Sequence, residues 1–403
     1  MKDHISIAVL SDLHFCSHEK GATHTHALVG ANLPRRQNPA ADLEELISSE
    51  NLRADVILTP GDLTTMSCGI GLNAAWELLA KIYNNMHASA LIAATGNHDV
   101  ESRDVDKAPD IWERLKLLSP YYPSPQIDEL ERFRYFSEHY MVTDLEWCRI
   151  VSLNTCNTHA RGKDEYEKGR VTEYTVSSLT KHLNKLPSKP INILLCHHHP
   201  SALPELSDHL DDYSEMVHGA KLISELEQRE ENWIIIHGHK HFPNVGYAKG
   251  GSDSPVIVSA GSLSAALPQQ FLATASNQFY LIDLELKDIG AMGACGRVRS
   301  WDWAKGTGWT IADKFDRSRP ARILHGSGFG LRTGAATLAA KVDSAMGSSI
   351  RMEWTELVKI IPEIEYMITP DRTKLLRRLE SNHNLRAASD NPNSPMELVR
   401  QRA

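Results

Sequence analysis

Five short stretches carry side chains able to hold metal ions: Asp12-Leu13-His14, Gly61-Asp62, Gly96-Asn97-His98-Asp99, His197-His198-His199 and His237-Gly238-His239-Lys240-His241. Carboxylates, imidazoles and an amide oxygen make the mixed N/O donor set that divalent transition metals take, and two such ions close together need a carboxylate to share. Asp62 is read as that shared group. Asp12 and His14 are alternate residues, so both can face one site as a strand opens into a loop. His239 and His241 repeat the spacing, with Gly238 allowing a tight turn. Asn97 offers a neutral oxygen, and one of the three consecutive histidines can reach a second metal. Each stretch alone is weak evidence. Gly-Asp after a strand marks a turn, and Gly-Asn-His-Asp also suits a turn or a helix cap. The order and number of the five make the metal reading specific, and the cluster at 237–241 favours it unaided because packing needs no such cluster.

The elements that must position these residues are legible too. Each stretch follows an apolar, β-branched run, at 5–10, 54–58, 90–94, 191–196 and 233–236, with the look of a buried strand. Helix-like segments lie between them at 41–48, 72–86, 176–186 and 218–230. Strands alternating with helices give an α/β class, in which ligands gather beyond the carboxyl ends of strands. All five clusters sit at that end. Residues 256–262 and 279–284 read as late strands and 297–303 as an edge strand, expected to supply a second sheet packed on the first.

The chain has 403 residues, 41 % hydrophobic and 23 % charged, which suits one large catalytic domain with an appendage. No apolar run is long enough to span a membrane. The N-terminus lacks the features of a signal peptide, so a cytoplasmic location is expected. Six cysteines without a C-x-x-C pair exclude a zinc ribbon or a disulfide scaffold, and Cys148 and Cys196 read as buried thiols. The net charge of -8 argues against a uniformly basic surface for nucleic acid. From Ile311 onward 15 Lys+Arg stand against 11 Asp+Glu, which leaves the first 310 residues at -12.

Loop 16–39 holds His18, His24 and His26, either solvated or at the rim of the site. Segment 101–140 brings Phe133, Tyr135, Phe136 and Tyr140 together, an aromatic face read as core rather than a base-stacking platform. Residues 157–170 are polar and border the cleft in this reading. The expected divisions are a catalytic domain over 1–317, a glycine-rich linker over 318–330, a helical appendage over 331–386 with helices at 333–345, 352–361 and 371–379, and a disordered tail over 387–403.

The ordered set of motifs resembles the calcineurin-like metallophosphoesterase superfamily. The triple histidine before Pro200 and the G-H-x-H ending are similar in style to bacterial members of the class III cyclic-nucleotide phosphodiesterase group. The resemblance spans about residues 4–285 and omits the C-terminal appendage. It implies a four-layer α/β/β/α sandwich of two mixed sheets. It also implies that Asp12, His14 and His241 hold one metal, that Asn97, His239 and His197 (with His198 as competitor) hold the second, and that Asp62 bridges both. His98 would face the substrate phosphate, with Asp99 as its orienting partner. Two divalent cations less two carboxylates leave about two positive charges for a phosphate anion. A bridging hydroxide would attack phosphorus in line, and His98 would stabilise the transition state or protonate the leaving alkoxide.

The function expected is a phosphodiesterase using two ions of Mn, Fe or Zn on a nucleotide or another small phosphodiester. The alternatives are a DNA or RNA nuclease, disfavoured by the charge of the first 310 residues, and a regulatory partner-binding protein on a phosphoesterase fold. The expected partner is the phosphoester substrate, with no membrane. The C-terminal helices are read as binding a protein partner or another copy, or as packing back on the core.

Overall fold

The computed structural model describes residues 2–17, 24–31, 33–101, 110–158, 163–202, 215–248, 254–267, 275–287, 292–314, 321–389 and 391–401. The first apolar run forms β1 (His4–Val9), and α1 (Pro39–Ser49), β2 (Val56–Thr59), α2 (Gly69–Asn85) and β3 (Ala90–Ala93) follow. Local chemistry sets the helix starts. Asn38 caps α1, its Oδ1 accepting from Ala40 N at 3.0 Å, with Pro39 in the first turn. Cys68 caps α2 through its sulfur, 3.4 Å from Gly71 N. Next come α3 (Glu113–Lys116), α4 (Glu129–Ser137), β4 (Tyr140–Asp144), β5 (Cys148–Leu153), α5 (Lys163–Lys168), α6 (Glu173–Leu183), β6 (Ile191–Leu195), α7 (Gly219–Glu227) and β7 (Trp233–His237). Then follow β8 (Asn244–Tyr247), β9 (Val256–Ser259), β10 (Asn277–Glu285), β11 (Gly296–Ala304), β12 (Gly308–Ile311) and β13 (Ser327–Phe329).

Two sheets result. The first runs β12-β11-β10-β1-β2-β3, with β13 also on β11; the second runs β4-β5-β6-β7-β9-β8. Alternation along each strand divides the core. In β6 and β7, Ile191, Ile193, Leu195, Ile234 and Ile236 join the large cluster between the sheets, which includes Ile5, Ile7 and Ile57. Leu194, Trp233 and Ile235 face the other way, onto Val176 and Leu179 of α6 and Leu222 and Leu226 of α7. With α1 and α2 on the outer side of the first sheet, the architecture is the expected four-layer α/β/β/α sandwich of two mixed sheets.

The late strands divide otherwise than expected. β9 enters the second sheet beside β7, while β10 pairs antiparallel with β1 and extends the first. The strands that carry the site are therefore shared between sheets: β1, β2 and β3 in one, β6 and β7 in the other. The physical reason is edge coverage: without β10 the hydrogen-bonding edge of β1 would lie bare. The pair β4–β5 has no counterpart in the sequence reading, because Thr143, Asp144 and Arg149 interrupt its apolar pattern. In the insertion before it, Tyr135 and Tyr140 are buried as expected, but Phe133 is 71 % exposed. All six cysteines are buried free thiols. Among the described residues, no helix is long and apolar enough to cross a membrane.

Beyond β13 comes a second unit with its own core: α8 (Ala335–Met346), β14 (Arg351–Glu353), α9 (Trp354–Ile360), α10 (Thr369–His383), β15 (Leu385–Ala388) and β16 (Glu397–Arg400). Its three helices are where the sequence placed them. Two features differ. Residues 327–329, inside the expected linker, pair with β11. Residues of the expected disordered tail form β15 and β16, in a sheet ordered β14-β16-β15. The strands are so short that only Leu385 and Leu398 are sunk into the core, too few to give a periodic signal.

The joint to the catalytic unit is specific. Tyr247 Oη accepts from Gly330 N at 3.0 Å and donates to Leu331 O at 3.3 Å. The Arg332 guanidinium lies 4.0 Å from the Tyr247 ring centroid and reaches Ser254.

Candidate metal centre

Three of the five clusters turn inward through left-handed residues after their strands. Asp12, His14, Asp62, His239 and His241 have φ of 51°, 51°, 52°, 81° and 53°. Asp, Asn and His tolerate this region better than other side chains do, and each such residue costs about 1–3 kcal/mol, supplied by its surroundings. Here the surroundings are other loops: Asp12 N donates to Gly61 O at 3.0 Å and His14 N to Asp62 O at 2.9 Å. Gly61 has φ of 110°, and a Cβ there would stand 2.6 Å from Gly96 N and 3.0 Å from His197 Nδ1. The loops after β2 and β3 thus touch backbone to backbone.

Donor atoms converge across both sheets. His241 Nε2 lies 3.1 Å from His14 Nε2 and 3.3 Å from Asp12 Oδ1. Asn97 Oδ1 lies 3.0 Å from His197 Nε2 and 3.1 Å from His239 Nδ1. Asp62 stands between the groups, its Oδ2 3.4 Å from His197 Nε2 and 3.7 Å from His14 Nε2. Four overlapping triads keep their donor atoms within 4.8 Å of one another: Asp12, His14 and His241; His14, Asp62 and His98; Asp12, Asp62 and His197; and His197, His198 and His239.

Hydrogen bonds on the far sides of the rings say which nitrogen is open. His197 Nδ1 donates to Pro60 O at 3.0 Å, which leaves Nε2 as the nitrogen facing Asp62. His239 Nε2 donates to Glu167 O at 2.7 Å, which leaves Nδ1 facing Asn97. Thr65 Oγ1 donates to His14 O at 3.0 Å and takes the His14 Nδ1 proton at 3.1 Å, so the Nε2 of His14 is open. Metal-binding histidines are oriented in this way. The donor set therefore fits divalent cations: buried lone pairs from different loops point at one another at distances that only a shared proton or a cation makes favourable. Thr65→Val is expected to weaken metal affinity by about 10- to 100-fold with the fold intact, measured by competition with a chromogenic chelator. Unchanged affinity would remove Thr65 from this role.

The electrostatics agree. Burial would raise the Asp62 carboxyl, but His197 and His98 hold it well below the usual range. Asp12 is held down in the same way, burial being outweighed by His241. Burial drives His14 down to about 3, so its ring is a neutral donor. His197 runs the other way, its burial outweighed by Asp62 and Asp12, up to about 9. Two anions and a charged imidazole share one pocket, an arrangement that cations can replace.

Of the three consecutive histidines, His197 reaches Asn97 and Asp62. His198 is held by Thr155 Oγ1 at 2.8 Å and by Tyr166 O at 3.3 Å, its ring centroid 4.4 Å from that of His239. The His199 ring packs at a tilt against that of His237, their centroids 4.2 Å apart. The polar segment at 157–170 does border the cleft, through the carbonyls of Tyr166 and Glu167.

Asp99 bonds to backbone amides. Its oxygens accept from Thr64 N at 3.1 Å and Gly96 N at 2.9 Å, tying two site loops together, and burial followed by the Asp62 charge raises it to about 7. His98 Nδ1 takes the backbone N–H of Met66 at 3.1 Å. Of the rim histidines, His24 is exposed, His26 lies 5.1 Å from the Trp303 ring, and His18 falls outside the described residues.

The sequence reading missed Thr65, the Met66 amide and Ser262, whose Oγ donates to Asp12 O at 2.6 Å. Thr65 lies three residues past Asp62, and the Ser-x-Ser spacing of Ser262 and Ser264 was a usable sign, since Ser264 holds Leu13 O.

Fold and donor set together define the class: a two-sheet α/β sandwich with a candidate dinuclear centre across the ends of its strands. The chain belongs to the calcineurin-like phosphoesterase family, whose model matches residues 5–243, more than half of its length. Membership supports a phosphoric ester hydrolase. A second model, wHTH-Calcineurin_assc, matches residues 327–381. No curated protein matches. Among solved structures, the chain is similar to a dimetal phosphatase from Danio rerio (10 % identity, 76 % of this chain and 98 % of that one, TM-score 0.44). It is similar to purple acid phosphatase PPD1 from yellow lupin, Lupinus luteus (13 %, 77 % and 53 %, 0.48), and to the NAD nucleotidase of Haemophilus influenzae (14 %, 76 % and 53 %, 0.37). It spans about half the length of the last two.

Proposed function

We propose that this chain is a phosphodiesterase using two divalent ions of Mn, Fe or Zn to hydrolyse a nucleotide or another small phosphodiester. The observation that carries this reading is the position of Asp62 Oδ2, within 3.4 Å of His197 Nε2 and 3.7 Å of His14 Nε2. Asp12, His14 and His241 would hold one ion, Asn97, His239 and His197 the other, and Asp62 both. Bound there, the ions supply the charge that makes water a nucleophile at neutral pH and that screens the phosphate oxygens.

The remaining work falls to the chain. The carbonyls of Pro60 and Glu167 and the Thr65 hydroxyl hold three imidazoles in one tautomer and one orientation. With Met66 N–H on its Nδ1, the His98 ring carries its one proton on Nε2, placed to donate a hydrogen bond to a phosphate oxygen or to the developing alkoxide. Asp62 Oδ1 accepts from His98 N at 2.8 Å, so the same carboxylate fixes where His98 stands. Asp99 is a positioning residue for the loops at 64 and 96.

In this reading residues 1–317 are the catalytic domain and the unit after residue 330 is an appendage. Six buried thiols without a disulfide suit the reducing cytoplasm. A nuclease would need a basic track leading to the centre, and the -12 charge of the first 310 residues disfavours one.

The test is a substrate panel with Mn²⁺ added: cyclic nucleotides, dinucleotides, glycerophosphodiesters, and single- and double-stranded DNA and RNA. Turnover of small diesters with little or no cleavage of polymers is expected. Cleavage of the polymers alone would replace this reading with the nuclease.

A further inference from the structure

The turn that follows Asp62 holds more than the His98 ring. Met66 and Ser67 are consecutive non-glycine residues with left-handed backbones, φ 51° and 56°. Such strain persists only where neighbouring contacts enforce it. Here the contacts lead to His98. Met66 N donates to His98 Nδ1 at 3.1 Å, and Ser67 N donates to His98 O at 2.9 Å. The His98 ring in turn lies 5.1 Å from that of His14. On its other side the same turn meets Arg114, whose Nη1 donates to Ser67 Oγ at 2.8 Å. One serine therefore links a guanidinium to the backbone that fixes His98.

Arg114 differs from the cations around it. Lys116 pairs with Asp110 at 2.6 Å. Arg132 donates to Lys116 O at 2.6 Å and lies 4.4 Å from the Tyr121 ring centroid. Arg114 is exposed and forms no ion pair with a described residue. Its neighbour Leu115 is fully buried and anchors α3 beside the turn. The Arg114 stem covers the first residue of α2, where a Cβ on Gly69 would stand 3.8 Å from Cδ and from Nε. A cation at the positive end of a helix dipole is unfavourable to the fold. Stability does not account for this guanidinium, and an anion upon it would reverse the sign. Beside it Met66 is 38 % exposed, an apolar thioether of the kind that packs on an aromatic ring.

We propose that Arg114 is a specificity-determining residue that binds a second phosphate of the substrate, carried by the portion that leaves the scissile ester. The inference rests on the phosphodiesterase reading above and narrows it. The leaving portion is named because Arg114 is tied to the turn that holds His98, the group placed toward the developing alkoxide. A guanidinium fork matches phosphate oxygens, and Met66 lies where a base between the two phosphates would pass. A cyclic mononucleotide has one phosphate and leaves Arg114 unused. A linear dinucleotide with a terminal phosphate occupies both the metal centre and Arg114.

The test compares kcat/KM, with Mn²⁺ added, for adenylyl-adenosine and for its two derivatives with a terminal 5′- or 3′-phosphate. One phosphorylated form is expected to be turned over about 10- to 100-fold more efficiently than the bare dinucleotide, the range for a hydrogen bond between charged groups. Arg114→Gln should bring that ratio to about 1 through KM. Arg114→Lys should keep part of it, and Arg114→Glu should take it below about 1. The proposal is overturned if the wild-type chain turns over all three dinucleotides alike. It is also overturned if Arg114→Gln lowers all three by one factor, as a merely structural role would. A chromogenic diester separates the two failures. Its hydrolysis without a preference among the dinucleotides overturns the second-phosphate site alone; no hydrolysis of any diester overturns the phosphodiesterase reading and this inference with it.

Discussion

Asp62→Asn is expected to lower hydrolysis of a chromogenic phosphodiester by about 1,000-fold or more, corresponding to a loss of about 4 kcal/mol of transition-state stabilisation. The substitution is chosen for what it keeps. Asparagine retains an Oδ1 to accept from His98 N, where Asp62 does so at 2.8 Å, and retains the carbonyl that receives His14 N at 2.9 Å. What it removes is the negative charge and the second carboxylate oxygen, the one that faces both His14 and His197. Metal content by plasma emission should fall toward one ion per chain, or below it, while the circular dichroism spectrum stays that of the wild type. Wild-type turnover with two ions per chain would remove Asp62 from the bridging position.

His98→Ala should separate chemistry from metal binding. A loss of about 100- to 10,000-fold in kcat is expected, the range for a positioned general acid, with metal content near that of the wild type. The reasoning is geometric. The rings of His197 and His239 are held by Pro60 O and Glu167 O, while His98 Nδ1 is held by the Met66 amide from the rim. The loss should shrink for substrates whose leaving group departs without a proton, such as nitrophenolate, and be larger for alkyl esters. An equal loss for both kinds would make His98 a phosphate-binding group, not an acid. Loss of metal along with activity would make it a ligand.

The strands that carry the candidate site were legible because each is a mostly apolar run, broken only by Ser6, Asp55 and Asn192, and their order with the His and Asp clusters pointed to the centre. The partition into sheets was not. Residues 279–284 look the same whether they start a new sheet or cover the edge of β1, since a strand buried on both faces has no preferred neighbour in its own sequence. What favours His197 among the three histidines, its contacts with Pro60 O and Asn97, comes from partners far away in sequence. Asp99 is a similar case: the resemblance suggested a pairing with His98, while its oxygens accept from the backbone amides of Thr64 and Gly96. The β15–β16 pair was missed because eight strand residues with two core leucines give no period to detect.

Asp12, His14, Asp62, His239 and His241 all have left-handed backbones. In a stretch evolved only to connect a strand to a helix, glycine or asparagine would relieve that strain at no loss. A trace of φ angles alone, without side chains or motifs, would therefore mark this centre: non-glycine residues of the wrong hand, two apart, at the ends of strands from different sheets. In this protein backbone handedness is itself a signature of the site, and it offers a way to look for such centres in folds where no motif has been described.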